Sequence, residues 1–368
     1  MARQPSIPAV RWYGPLLAVL VSFGGVVLVG GALLTLTESR RPPLPTPAPQ
    51  DASAPANRIA LEPKASPPAE SVLPIRSSEA IRRAFHGQAI DWESFSGEED
   101  APSQARPALW KLSDADTTIY LFGTIHTLRP GLYWFDAVLQ RAFAASNELV
   151  VEAFETDPMK ATQQLLSRAI DRDGPPLSKK LSPDVARRYR TAMARLGLSI
   201  NDFERLEPWF VSMFLANIIL QQFGYGSGVD DALVDRAIAA GKPVISLETM
   251  DFQLSIFDQM PERRQISLLN DTITALDRPP TDLQRITFLW ATGQAEALAD
   301  GMEETARTMP DHYNALITKR NRRWTTWLIN RLDRPGTVFV AVGGAHFAGE
   351  DSVLRMLRAR HLKVTRLR

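Results

Sequence analysis

The run Thr337–Val342, TVFVAV, is wholly apolar, which suits a β-strand buried on both faces. Leu149–Val151 and Val244–Leu247 are further short apolar runs, and Leu362–Leu367 reads as a last strand. Trp110–Ser113 and Thr117–Phe122 flank Asp114-Ala115-Asp116, which predicts a β-hairpin. Between these runs, apolar spacing predicts helices over Asp184–Leu196, Pro208–Phe223, Asp230–Ala240, Leu283–Asp300 and His312–Leu332. Ser352–Arg360 reads as another helix, with Asp351 as its candidate N-cap. Strands alternating with helices argue an α/β domain with a mixed, mostly parallel central sheet and flanking helices. The long helical middle is then a large insertion or cap.

The chain before this domain is different. Gly14–Leu36 carries no charge, and about 20 apolar residues suffice to cross a bilayer. A cleaved signal has a shorter apolar run and a small-residue exit site, so an uncleaved anchor is expected. A cleaved signal would send the remaining chain to the same side. Arg3 and Arg11 precede the run, and Glu38, Arg40 and Arg41 follow it. From Arg41 to about Ile75 proline, alanine and serine dominate. Such a segment cannot bury enough surface to fold, and it reads as a spacer. Ser78–His86 reads as a short helix before an acidic loop. The expected organisation is a cytoplasmic tip and transmembrane anchor over 1–41, a Pro/Ala-rich linker over 42–107, and the α/β domain over 108–368. That places the domain on the extracytoplasmic, periplasmic side of the cell membrane, with the membrane as a partner through the N-terminal helix.

Composition narrows the chemistry. There is no cysteine, which removes disulfides, thiolate metal sites, a Cys nucleophile and a lipoprotein anchor. Lys plus Arg is 42 and Asp plus Glu is 41, so nothing favours nucleic acid as a partner. No Gly-x-Ser-x-Gly elbow or His-Glu-x-x-His motif is present. Gly224–Gly228 is glycine-rich but lacks the Lys and Ser/Thr of a phosphate loop, and reads as a hinge before a helix near Asp230.

The chemistry-bearing residues fall at strand ends. Tyr120–Phe122 runs into Gly123-Thr124-Ile125-His126, and Val338–Val342 runs into Gly343-Gly344-Ala345-His346. Leu149–Val151 runs into Glu152, and Val244–Leu247 runs into Glu248. In open α/β sheets ligands bind beyond the carboxyl ends of the strands. Two imidazoles and a carboxylate, His126, His346 and Glu152, suit a divalent metal such as zinc, iron, manganese or cobalt. Such a metal acidifies bound water. Glu248 would act as a second carboxylate. Without metal, the same residues make an acid–base site or a polar structural network. A lone Gly-x-x-His means little, and a lone Glu after an apolar run reads as a helix N-terminal charge. The weight lies in their matched positions. Arg320 and Asn321, within Arg320-Asn321-Arg322-Arg323, lie on a helix with Trp324 and Trp327. One reading makes them a solvated basic face. The other points them into the cleft, to bind an oxyanion or fix a carboxylate.

The segments LWKLSDADTTIYLFGTIHTL, LVVEAFE, LEPWF, GVDDALVDRAIAAGKPVISLET with a later Gln253, KRNRRW and VFVAVGGAHFAGEDSVLRMLRARHLKVTRL resemble the TraB/GumN family in order and spacing. The resemblance runs from about Trp110 to the C-terminus. That family is related to the TIKI proteins, which look like metal-dependent proteases, and more loosely to erythromycin-esterase and ChaN-like folds. The resemblance implies that Gly123, His126, Glu152, Arg320, Asn321, Gly343 and His346 are site positions. The expected function is a metal-dependent hydrolase of peptides, or of another amide or ester, with manganese, cobalt or zinc as cofactor. A non-catalytic peptide- or partner-binding module is the alternative from another class, since TraB-type relatives are linked to pheromone control. A small-molecule esterase is the third reading.

Overall fold

In the computed structural model the described residues are 104–276 and 281–368. The expected anchor, nearly all of the linker and the Ser78–His86 helix lie outside them. Among the described residues no helix is long and apolar enough to cross a membrane.

The centre is a six-stranded sheet in the order β6-β4-β7-β2-β1-β8. The strands are β1 Leu109–Ser113, β2 Thr117–Thr124, β4 Glu148–Val151, β6 Val244–Ser246, β7 Gly336–Gly343 and β8 Val364–Arg366. Neighbours among β6, β4, β7 and β2 pair in parallel. β1 is antiparallel to β2 and to β8. The mixed, mostly parallel α/β sheet read from the sequence is therefore the sheet that forms. β7 lies between its two parallel neighbours and is the most enclosed strand, which accounts for its unbroken apolar run.

Helices α1 (Ala137–Ala145), α2 (Pro158–Ala169), α3 (Pro183–Arg195), α4 (Pro208–Gln222) and α5 (Val229–Ala239) occupy the first half of the chain's helical content. They are followed by α6 (Met250–Asp258), α7 (Glu262–Ala275), α8 (Thr281–Ala291), α9 (Ala299–Thr308), α10 (Lys319–Leu332) and α11 (Val353–Arg358). One sheet face packs Phe122, Leu149 and Phe339 against Leu139 of α1 and Leu233 of α5. The other packs Leu121, Val150 and Val340 against Trp324 and Leu328 of α10 and Leu354 of α11. A third cluster is built by the helical middle itself, with Tyr189, Trp209, Leu215, Phe257 and Leu269 among its members. α4 is buried almost all round, as the central helix of such a unit must be.

Several boundaries differ from the sequence reading for identifiable reasons. Leu283–Asp300 is not one helix. α8 stops at Ala291, Gly293 turns at φ +71°, and a 3-10 turn over Ala295–Leu298 leads into α9. Only glycine adopts that backbone without cost. The helix from His312 to Leu332 contains a π-helical stretch, Asn314–Thr318, just before the Arg-rich segment. Asp351 is not the N-cap of α11. Ser352 is, its hydroxyl accepting from the Arg355 amide at 3.3 Å, while the Asp351 carboxylate accepts from the Thr318 hydroxyl.

The Gly224–Gly228 segment is no open hinge. Gly226–Ser227 forms β5, antiparallel to β3 (Thr127–Leu128). The Val229 amide then donates to the Ile125 carbonyl at 2.9 Å. α5 therefore starts directly on the first Gly-x-x-His segment. A Cβ on Gly228 would lie 2.3 Å from the His126 carbonyl carbon, so no larger residue fits without moving backbone.

Two outcomes follow from this packing. Gly228→Ala is expected to destabilise the chain by about 3 kcal/mol or more, since overpacking against backbone cannot relax cheaply. A urea midpoint equal to that of the parent chain would refute the close approach. His312 supplies the second. Its Nδ1 is buried without a partner among the described residues, and its ring meets Phe257 edge-on at 5.7 Å. Burial pushes its pKa down to about 4. The unfolded chain takes up this proton near pH 6.5 and the folded chain only near 4. Stability from this group is thus full above 6.5 and falls as pH drops toward 4, by at most about 3 kcal/mol. Asp231, pushed up to about 7 mainly by burial, has the opposite sign over an overlapping range. A comparison of His312→Phe with the parent isolates the histidine: the acid-side loss should shrink in the variant, and parallel stability–pH curves would count against it.

Candidate functional site

Four parallel strands end at one edge, and each delivers a polar side chain there. The register pairs Thr124 with Gly343, and Val151 with both Ala341 and Ser246. His126, His346, Glu152 and Glu248 follow within a few residues of those ends. Pairing continues past β4 and β6, where the Glu248 amide donates to the Glu152 carbonyl at 2.9 Å. The glycines allow the two motif segments to close up. A Cβ on Gly123 would lie 3.0 Å from the Gly344 Cα. The Gly343 amide donates to Glu152 Oε1 at 2.7 Å.

All the residues expected at the site are therefore neighbours. Glu152 Oε1 lies 3.9 Å from His126 Nε2 and 3.8 Å from His346 Nε2. Arg320, 1% exposed, enters from α10 and bonds both carboxylates. Its Nε donates to Glu248 Oε1 at 2.6 Å, its Nη2 to Glu152 Oε2, and its Nη1 to the Leu316 carbonyl at 3.1 Å. Nη1 also stands 3.3 Å from His346 Nε2. Burial opposes the charge on Arg320, but Glu152 and Glu248 outweigh it and hold the guanidinium pKa above its ordinary value. Asn321 lies on the far side of His346, with Oδ1 2.6 Å from Nδ1. Arg322 and Arg323 are exposed. Arg323 donates to Glu248 Oε2 at 3.1 Å and stacks over Phe252 at 4.0 Å.

Hydrogen-bond logic fixes the state of His346. The Asn321 amide nitrogen faces the carbonyls of Asp351 (2.7 Å) and His346 (3.4 Å). Asn321 Oδ1 must then accept, and His346 must donate Nδ1–H. An arginine can only donate, so Nε2 of His346 is the acceptor toward Arg320. Burial first, then the charges of Arg320 and His126, hold the His346 pKa well below its ordinary value. This histidine is neutral, and its free lone pair is already used.

Sequence reasoning missed two participants. Asp230, the second residue of α5, lies 2.8 Å from His126 Nδ1 and accepts from the Thr124 hydroxyl at 2.5 Å. Burial raises its pKa, but the His126 charge and the bonds from His126 and Thr124 overcome this and leave it below the usual carboxylate value. Gln253, at the start of α6, donates to Glu152 Oε2 and Glu248 Oε1, both at 3.2 Å. It stood in the family-like segments but carried no assigned role. The only local signal for Asp230 was an acidic residue in a helix first turn, which is ordinary.

The metal that the resemblance implies can be tested against these donors. Both Nε2 atoms face Glu152, as ligands would. Yet Arg320 already occupies the His346 lone pair that a metal would need, and it bonds the second Glu152 oxygen. Among the described residues no group of three or more His, Asp or Glu side chains is placed to hold a metal ion. The arrangement does not fit a His126–Glu152–His346 metal centre; a buried guanidinium is the cation that these carboxylates hold.

Three relatives and one family model match this chain. The uncharacterized protein YbaP of Escherichia coli (strain K12) is 28% identical over 189 residues, covering 50% of this chain and 68% of that protein. The Shigella flexneri protein of the same name matches to the same extent. An uncharacterized protein of Treponema pallidum (strain Nichols) is 23% identical over 273 residues, 69% of this chain and 80% of its own length. No solved structure matches. The family model described as TraB/PrgY/gumN matches residues 108–366, a span that holds every strand of the central sheet and every residue of the cluster, and the chain belongs to that family.

Proposed function

We propose that the chain is a hydrolase of amide or ester bonds, acting first on peptides, with its site at the strand-end cluster. The observation that carries this reading is the convergence of both motif histidines on one oxygen of Glu152, at 3.9 and 3.8 Å. His126 Nε2 takes a proton from water as the water oxygen attacks the substrate carbonyl carbon. Glu152 orients that water. The oxygen of the tetrahedral adduct takes up negative charge near the Arg320 guanidinium, which acts on it by its fixed charge, since its N–H groups already serve Glu152, Glu248, Leu316 and His346. The proton on His126 then passes to the leaving nitrogen or oxygen as its bond to carbon breaks. His346, itself held by Asn321, accepts from Arg320 rather than exchanging protons. Glu248 is the second carboxylate on Arg320, and Arg323, half exposed, covers it at the edge where substrate enters.

The metal-dependent form of this reaction is the second reading, which the family resemblance implies and which the arrangement seen here does not fit without rearrangement. In it His126, Glu152 and His346 would hold manganese, cobalt or zinc, and Arg320 would have to leave His346. The expected setting is also a proposal: an uncharged N-terminal anchor over Gly14–Leu36 and a proline-rich spacer, with residues 108–368 outside the cytoplasm.

The test uses the full chain, a peptide library and a panel of small esters, after chelation and again with added manganese, cobalt or zinc. Turnover of peptides is expected after chelation, with His126→Ala lowering it by at least about 100-fold. Turnover that appears only on adding metal would replace this mechanism with the metal-dependent one. Action on esters alone would make the chain a small-molecule esterase, and tight peptide binding without turnover would make it a binding module. For the topology, protease added outside cells stripped of their outer envelope should degrade residues 108–368. Protection until lysis would place the domain in the cytoplasm.

A further inference from the structure

We infer that Asp230 is the positioning residue of the site: it fixes His126 as the Nδ1–H tautomer and aims the unprotonated Nε2 at Glu152. This rests on the proposed reading of the site as catalytic, although the geometry stands apart from any activity.

Three features support the assignment. Asp230 is buried, and both its oxygens are used, Oδ1 by the Thr124 hydroxyl at 2.5 Å and Oδ2 by His126 Nδ1 at 2.8 Å. An ionised carboxylate can only accept, so His126 must supply the proton from Nδ1. Second, the carboxylate is anchored by backbone and not by a flexible stem. The strand pair β3–β5, the Val229 amide on the Ile125 carbonyl, and the contact of Gly228 with His126 fasten the start of α5 to the Gly-x-x-His segment. Asp230 therefore cannot move away from His126 without unpairing that ribbon. It also stands in the first turn of α5, where the helix dipole favours a negative charge. Third, the group facing the other ring nitrogen is Glu152 Oε1 at 3.9 Å. A carboxylate behind one nitrogen, with the reacting groups before the other, is the arrangement that holds an imidazole in the tautomer needed for a base. His346 has an amide, Asn321, in the matching place. An amide orients the ring but supplies no charge to balance an imidazolium.

Asp230→Asn is the informative change. The asparagine oxygen would keep the Thr124 bond, and its NH2 would face His126 Nδ1 as a donor. The ring would then have to carry its proton on Nε2, the wrong nitrogen for a base facing Glu152.

The experiment is nitrogen NMR of the full chain labelled with 15N-histidine, recorded near pH 9, where ordinary imidazoles are neutral. The chain has five histidines, and His126→Gln identifies the signal of interest. The expected spectrum shows His126 protonated at Nδ1 and unprotonated at Nε2, and Asp230→Asn moves the proton to Nε2. A purely structural role for Asp230 would not exchange the tautomers. A proton on Nε2 in the parent chain, or an unchanged tautomer in a folded Asp230→Asn, would overturn the inference. If the variant does not fold, the parent spectrum still decides by itself. The result is separable from the hydrolase reading: a chain inert on peptides and esters that shows the tautomer exchange supports Asp230 and sinks only the proposed activity.

Discussion

One guanidinium organises the working edge of this protein. Arg320 lies buried against two carboxylates from adjacent strand ends, Glu152 and Glu248, and against an imidazole from a third. Removing such charges from water costs several kcal/mol per ion. The cost is offset only when every donor and acceptor finds a partner. Here the remaining contacts go to the Leu316 carbonyl, to Gln253 and to the face of Trp324, 4.7 Å from the guanidinium carbon. The π-helical stretch Asn314–Thr318 ends two positions before Arg320 and supplies that carbonyl. Such stretches shift the register of a helix face locally and are frequent at functional sites. Breaking the guanidinium out of this cluster would leave two buried carboxylates facing each other, so sheet edge, α6 and α10 are tied to a single charge balance.

Much of this was legible before any coordinates. Four apolar runs ending in His126, Glu152, Glu248 and His346 place those side chains at one edge, provided that the strands are parallel and adjacent. The alternation of strands and helices made that arrangement the natural one. Arg320 and Asn321 were legible as a pair of readings, basic face or cleft, and α10 uses both: it buries Arg320 and Asn321 and exposes Arg322 and Arg323. Local periodicity cannot say which of four adjacent polar residues faces inward when a π-helical stretch alters the phase just upstream.

What stayed hidden was pairing over long separation. Asp230 meets His126 across 104 positions, and Asp231 beside it looks the same in sequence. Nothing local separates a carboxylate that bonds an imidazole from one that merely sits in a helix first turn. Gly228 was read as a hinge because glycine in a polar run signals freedom. In the fold it signals the reverse, a place where two backbones touch. Gly293 is the simpler case: its positive φ ends α8 inside a segment whose apolar spacing runs on uninterrupted.

The shared Gly-x-x-His spacing also proves to be a statement about backbone more than about chemistry. A Cβ on Gly123 would press to 3.0 Å on the Gly344 Cα, and the Gly343 amide donates to Glu152, so the two motif segments close on each other. That closeness brings both rings to Glu152. It does not make them alike. His126 has a charged carboxylate behind it and Glu152 in front, so a proton on either nitrogen meets a negative partner. His346 has an amide behind it and a guanidinium in front, so a second proton would meet a positive charge in a buried place. A second proton on His346 is thus opposed by burial and by Arg320, whereas among the described residues no positive group stands against His126 in the same way. Symmetry in the sequence thus marks where the segments must touch, and the residues that differ, Asp230 against Asn321 and Glu152 against Arg320, decide what each histidine does.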